Sequence, residues 1–187
     1  MKKILTFCSL SLLLNSCTPN CDPYETERFL VSDSNKAYIL PDERTDIYIN
    51  NVGEITEINF DKVEISLGTF SDDHSCGYST FENVRQIFKT GNYFGHIYIG
   101  QGSIDISISD YAVRNQFQAY SNQTRELDDL TTDVNIAGFS FTNVIELTQQ
   151  NNTQYSIWDM QTIIYSKENG IELIVFRDNT WLKKVIN

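Results

Sequence analysis

Ser103-Ile104-Asp105-Ile106-Ser107-Ile108-Ser109 is the stretch that decides the fold. Three isoleucines alternate with an aspartate and serines, the period of two that sets one side of a strand in a core and the other in water. The pattern recurs upstream, where Ile47 and Ile49 stand between polar neighbours and Val63, Ile65 and Leu67 alternate with Glu64 and Ser66. Strands with one wet face belong to antiparallel sheets.

Between these runs lie residues that let the chain reverse. Asn51-Val52-Gly53, Asn59-Phe60-Asp61-Lys62, Gly100-Gln101-Gly102, Glu168-Asn169-Gly170 and Asp178-Asn179 supply the Asn, Asp and Gly that hairpin turns use. The last two divide residues 162–166, 171–176 and 180–185 into a three-stranded meander. Phe139, Phe141, Ile145 and Leu147 predict a further strand with a break at Asn143, and 155–160 predicts one more.

One segment departs from the alternation. Ser79-Thr80-Phe81-Glu82 has the form of a capping box, and Phe81, Val84, Ile87 and Phe88 follow at helical spacing up to Gly91, which predicts a helix over 80–90. In 110–121, Val113, Phe117 and Tyr120 share a helical stripe, although the segment also reads as a strand; Asp22-Pro23 can start a very short helix. The expected class is α+β, predominantly antiparallel β. Eight to ten strands should curl into a half-barrel with a helix against the concave side, with a two-sheet β-sandwich as the alternative.

The N-terminus carries a different message. Lys2 and Lys3 precede an apolar run at 4–14, the basic start and short core of an export signal. A membrane-spanning helix needs roughly twenty apolar residues, and Asn15, Ser16 and Thr18 end this run too early. Leu13-Leu14-Asn15-Ser16-Cys17 resembles the lipobox of bacterial lipoproteins, which implies a signal peptide at 1–16, cleavage before Cys17 and lipid on that cysteine. Residues 17–27 then read as a lipidated tether and 28–187 as a single β-rich domain. Thr18, in place of the aspartate that marks inner-membrane retention, points to the outer membrane, facing the periplasm or the surface. Each buried CH₂ of an acyl chain contributes roughly 0.8 kcal/mol, so anchoring through several chains is effectively permanent.

Charge narrows the partners. The whole chain has 25 acidic and 14 basic residues, and loss of Lys2 and Lys3 brings the body's formal charge to about −13. No basic stripe exists to hold a phosphate backbone, which argues against nucleic acid; membrane contact should come through the N-terminal lipid. Cys8 leaves with the signal and Cys17 is used by lipid, so Cys21 and Cys76 form the economical disulfide in an oxidising compartment. Two unpaired thiols are the alternative.

Chemistry-bearing clusters are few. Asp72-Asp73-His74-Ser75-Cys76 gathers metal-binding groups but lacks paired zinc spacing, and Glu126, Asp128, Asp129 and Asp133 lack the alternation and central glycine of a calcium loop. Both read better as solvated loops. Gly100-Gln101-Gly102 lacks the third glycine of a dinucleotide loop, and no Gly-x-Ser-x-Gly elbow occurs. No catalytic, metal or cofactor site is therefore assigned. Tyr93, Phe94, Tyr98, Tyr155, Trp158, Tyr165 and Trp181 read first as packing residues, with a glycan or acyl groove as the sharper alternative.

The stretch Thr162-Ile163-Ile164-Tyr165-Ser166-Lys167-Glu168-Asn169-Gly170-Ile171, with Trp181 and the preceding 138–147, resembles the terminal strands of uncharacterised small β-rich lipoproteins common in Bacteroidota. That resemblance implies a β-rich fold and no activity. The leading expectation is a non-catalytic binding or assembly module on the outer membrane, with a protein, glycan or apolar ligand as partner. A carrier of an apolar or lipid ligand in a curved-sheet cavity and a hydrolase with a carboxylate site are the alternatives.

Overall fold

A computed structural model of the chain describes residues 22–71, 76–91, 93–109, 114–120, 125–149 and 160–186. The expected signal peptide, Cys17, Cys21, Asp72, Asp73, His74, Tyr155 and Trp158 lie outside the described residues. Among the described residues are thirteen strands: β1 (Tyr24–Phe29), β2 (Arg44–Asn50), β3 (Ile55–Phe60), β4 (Glu64–Ser71), β5 (Gly77–Thr90), β6 (Tyr93–Ile99), β7 (Ser103–Ser109), β8 (Arg114–Tyr120), β9 (Thr132–Ile136), β10 (Phe139–Gln149), β11 (Met160–Ser166), β12 (Gly170–Phe176) and β13 (Trp181–Lys184). One helical turn, α1 (Asp33–Lys36), precedes β2, and a 3₁₀ turn at Leu127–Leu130 precedes β9.

Ten strands close on themselves. β2, β3, β5, β6, β7, β8, β10, β11, β12 and β13 each pair with the next, all antiparallel, and β13 returns to β2 with Leu182 opposite Asn50 and Lys184 opposite Tyr48. The molecule is thus an up-and-down barrel, which corrects the half-barrel expectation and sets aside the sandwich. Closure pairs the first and last barrel strands, so neither is left as an exposed edge.

Ile104, Ile106 and Ile108 point inward as their alternation predicts, and Asp105 and Ser109 point outward. Ten strands enclose more space than the eight whose side chains just fill a barrel. Large rings take up the difference: Tyr48, Phe60, Phe88, Phe117 and Tyr165 all join the interior cluster. α1 and the 3₁₀ turn plug one end, adding Val31, Tyr38, Ile39 and Leu127 to that cluster.

Local chemistry holds the plug. Ser32 caps α1 by accepting from the Asn35 amide, and the buried Asn35 side chain accepts from Leu127 N and donates to the Arg125 carbonyl, both at 2.8 Å. Tyr165 OH donates to the Tyr38 carbonyl at 2.5 Å. Beneath, Asp46 accepts from Lys184 at 2.9 Å and Arg44 at 3.2 Å, while Arg44 also lies 4.0 Å above the Phe60 ring. Charges this deep persist because each has a partner.

The expected helix over 80–90 is instead most of β5, the longest strand among the described residues. Its inward set is Thr80, Glu82, Val84, Gln86, Phe88 and Thr90, an alternation that its polar members conceal. β5 has neighbours along both edges, β3 and β4 on one side and β6 and β1 on the other. Glu82 does not cap a helix; its oxygens hold Val31 N and Lys36, each at 2.9 Å, and thereby seat α1. Tertiary pairing outweighs the local helical signal.

Four further readings meet the structure. Asn59-Phe60-Asp61-Lys62 is no reversal, because β3 and β4 follow the same edge of β5, with Phe60 opposite Phe88 and Glu64 opposite Arg85. In β2 the buried positions are Asp46 and Tyr48, and Ile47 points outward. The segment 110–121 contains a strand, β8, and no helix is described in it. Asp22-Pro23 starts no helix; β1 begins at Tyr24, inside the expected tether.

The break at Asn143 is a bulge. Asn143 has φ 55°, and the register against β9 shifts between Phe141 and Val144. The bulge folds the β9–β10 hairpin over the outside of β11 to β13, where Phe141, Val144, Ile164, Leu173 and Val175 form a second, smaller core. The C-terminal meander stands as expected.

Candidate functional site

The barrel interior is one candidate, and its packing decides what it can hold. Tyr48, Ile97, Ile104, Ile106, Phe117, Leu147, Met160, Ile163, Tyr165 and Ile171 have 0% of their surface exposed. A void large enough for a water molecule would expose part of the side chains lining it, so none opens onto these ten. Around these ten the interior is a packed core.

The outer face of β5 to β8 is the other candidate. Alternation that sends isoleucines inward sends Phe94, His96 and Tyr98 of β6 outward, where His96 and Tyr98 stack with centroids 5.8 Å apart and Phe94 meets His96 edge-on at 6.1 Å. Across the sheet, Tyr98 pairs with Asp105 and Asp105 with Gln118. Asp105 accepts from Gln116 at 2.5 Å and from Gln118. On the other side Arg85 holds Glu64, and with Ser66, Asn83 and Tyr98 they line a shallow hollow of about 280 Å³.

Two more hollows are polar as well. One of about 600 Å³ is lined by Glu146, Thr148, Gln149, Gln161, Thr162 and Arg177; the other, of about 370 Å³, lies beside the Asn143 bulge with Glu168 and Glu172 at its wall. Such surfaces offer hydrogen bonds and ring edges to a polar partner. They contain no paired nucleophile and base at bonding distance among the described residues.

The acidic segment Glu126 to Asp133 is put to structural use. Asp128 accepts from Ser34 at 2.7 Å, Tyr38 at 2.8 Å and Lys167 at 3.1 Å, and these bonds, that from Ser34 foremost, hold its carboxyl below the usual range. Glu126 accepts from Ser32, and Asp133 from Asn143 N. Among the described residues no group of three His, Cys, Asp or Glu converges as a metal site. Gly100-Gln101-Gly102 is the β6–β7 turn, pinned where Gln101 donates to the Leu30 carbonyl at 3.0 Å.

Of the sequence-assigned sites, Cys76 alone is among the described residues; Cys17 and Cys21 lie outside them. Cys76 immediately precedes β5, and its carbonyl accepts from Tyr24 N at 3.1 Å. Of the aromatic candidates, Phe94 and Tyr98 reach the outer face, whereas Tyr165 is buried in the barrel and Trp181 packs edge-on against Phe139. His96 had no motif to mark it; its position two residues from each of two aromatics on a strand was the available signal. Among the described residues no helix is long and apolar enough to cross a membrane. No family model matches the chain, and no curated protein or solved structure matches it.

Proposed function

We propose that the chain is a bacterial outer-membrane lipoprotein, anchored through lipid on Cys17, whose body is a non-catalytic binding or assembly module working from its outer surface. The packed interior carries the second half of this reading. A carrier needs a void, and the ten inward side chains without exposed surface leave none against themselves. What remains for recognition is the outside, where the Phe94, His96 and Tyr98 rings adjoin the Asp105, Gln116 and Gln118 cluster. The inside-apolar, outside-polar order is also the reverse of a barrel that spans lipid.

A disulfide between Cys21 and Cys76 belongs to the same proposal. β1 supports it, because Tyr24, three residues from Cys21 in sequence, donates its N–H to the Cys76 carbonyl. The bridge would close a loop of about 55 residues, worth roughly 4 kcal/mol in the chain-entropy model, and tie the tether to the barrel.

Replacing Cys17 with Ala should abolish incorporation of labelled fatty acid and release the chain from the membrane fraction. Unchanged membrane residence would contradict the anchor. The surface half is tested by substituting His96 and Tyr98 together with Ser. The variant should be exported and folded but lose the cross-links that the parent forms in the envelope; an unchanged cross-linking pattern would put the working surface elsewhere.

A further inference from the structure

We propose that β4 is the pairing edge of a symmetric dimer, lying antiparallel to β4 of a second copy with Ser66 opposite Ser66. β4 bonds β5 without a register shift from Glu64, opposite Arg85, to Ser71, opposite Tyr78. Its other edge meets no strand among the described residues. Alternate residues of such a strand turn their N–H and C=O away from β5, a template for another strand, and proteins ordinarily blunt such edges with Lys, Pro, bulges or charge.

The two edges of the β1–β5–β4 arm are treated differently. β1 carries Glu25, Glu27 and Arg28 and has a register shift between Glu25 and Glu27. β4, Glu64-Ile65-Ser66-Leu67-Gly68-Thr69-Phe70-Ser71, has no Lys, Pro or shift, and its one charge is neutralised by Arg85. Ile65, Leu67 and Phe70 are 57%, 61% and 68% exposed. One edge is guarded and the other is open.

A second copy fits this edge because the strand is self-complementary about Ser66. A two-fold axis there puts Ile65 opposite Leu67 of the second copy and Leu67 opposite its Ile65, four apolar side chains in one row. Glu64 falls opposite Gly68, so no like charges meet although each chain is acidic. Centring on Leu67 instead would set Glu64 against Phe70 and Ile65 against Thr69, and centring on Gly68 would set Leu67 against Thr69. Nearby charges are matched within one chain, Glu64 by Arg85 and Asp61 by Lys89.

The register supplies the test. In the full chain, Ser66→Cys brings two cysteines opposite each other with Cα atoms roughly 4.5–5.5 Å apart, within disulfide range. Mild oxidation should convert most of this variant into a covalent dimer. Thr69→Cys, on the same edge but out of register with itself, should cross-link at least about tenfold less, because cysteines whose Cα atoms lie beyond about 7 Å cannot bridge. Adding Leu67→Lys to Ser66→Cys should suppress the dimer to a similar degree; Leu67 is exposed, so the barrel should keep its circular dichroism. A Ser66→Cys chain that stays monomeric, bridges to a different protein, or cross-links no better than Thr69→Cys overturns the proposal.

Discussion

Two glycines have a phenylalanine of β5 lying over them, and they show how differently the two halves of that strand are used. Phe88 covers Gly95 inside the barrel, directly across from it, and Phe81 covers Gly68 on the arm. The local device is identical: a ring fills the space that a missing Cβ leaves on the neighbouring strand. Phe88 then packs against Phe60 at 5.4 Å and is 1% exposed, whereas Phe81 is 37% exposed. In the barrel half, packing continues past the pair and becomes a core. On the arm it stops, and leaves a surface.

The largest way to break the barrel half is alkali. Burial, first among the causes, pushes the hydroxyls of Tyr38, Tyr48 and Tyr165 above their ordinary value. Their neutral forms are therefore a source of stability that is complete below about pH 10, where unfolded tyrosines still hold their protons, and is lost as pH climbs toward the raised values. Phenolate absorbance from these three should appear only together with loss of the β-sheet signal. A smooth rise in the folded protein would contradict their burial.

Next in size is Asp46→Ala, which takes from Arg44 and Lys184 the carboxylate they share and leaves them only carbonyl and amide oxygens. Denaturant unfolding should show a loss of about 3–5 kcal/mol, the cost of breaking a buried ion pair from one side. Gly95→Ala follows, because a Cβ there runs into the Phe88 ring, which has nowhere to go; about 2–3 kcal/mol is expected from overpacking. Gly68→Ala sharpens the comparison with the smallest effect, under about 1 kcal/mol, since the Phe81 ring can swing into water. Equal costs at the two glycines would mean that the arm is packed as tightly as the barrel.

Legibility in the sequence followed the same divide between local and distant causes. The β6–β7 and β11–β12–β13 turns were readable because Gly102, Gly170 and Asn179 sit at positive φ where the chain reverses. The inward run at Ile104 to Ile108 was readable because nothing polar interrupts it. β5 was misread because Glu82 and Gln86 belong to its inward face, where Glu82 seats the plug and Gln86 donates to the Leu40 and Asp61 carbonyls rather than meeting water. β2 misled in the same way, hiding Asp46 inside and leaving Ile47 out. Closure was beyond local reading, since β2 and β13 are joined by a pairing of residues 48–50 with 182–184 that no turn announces. The outer face carried no motif; its rings assemble only when alternate positions of β6 are laid beside β7 and β8.

The central claim is that the barrel is filled and therefore acts from its surface. Crystals pressurised with xenon test it most directly, because xenon enters dry apolar voids that leave no other mark. The expected result is no xenon among Ile97, Ile106, Phe117 and Leu147. A well-occupied xenon site within that set would reveal a cavity, and would return the molecule to the class of carriers.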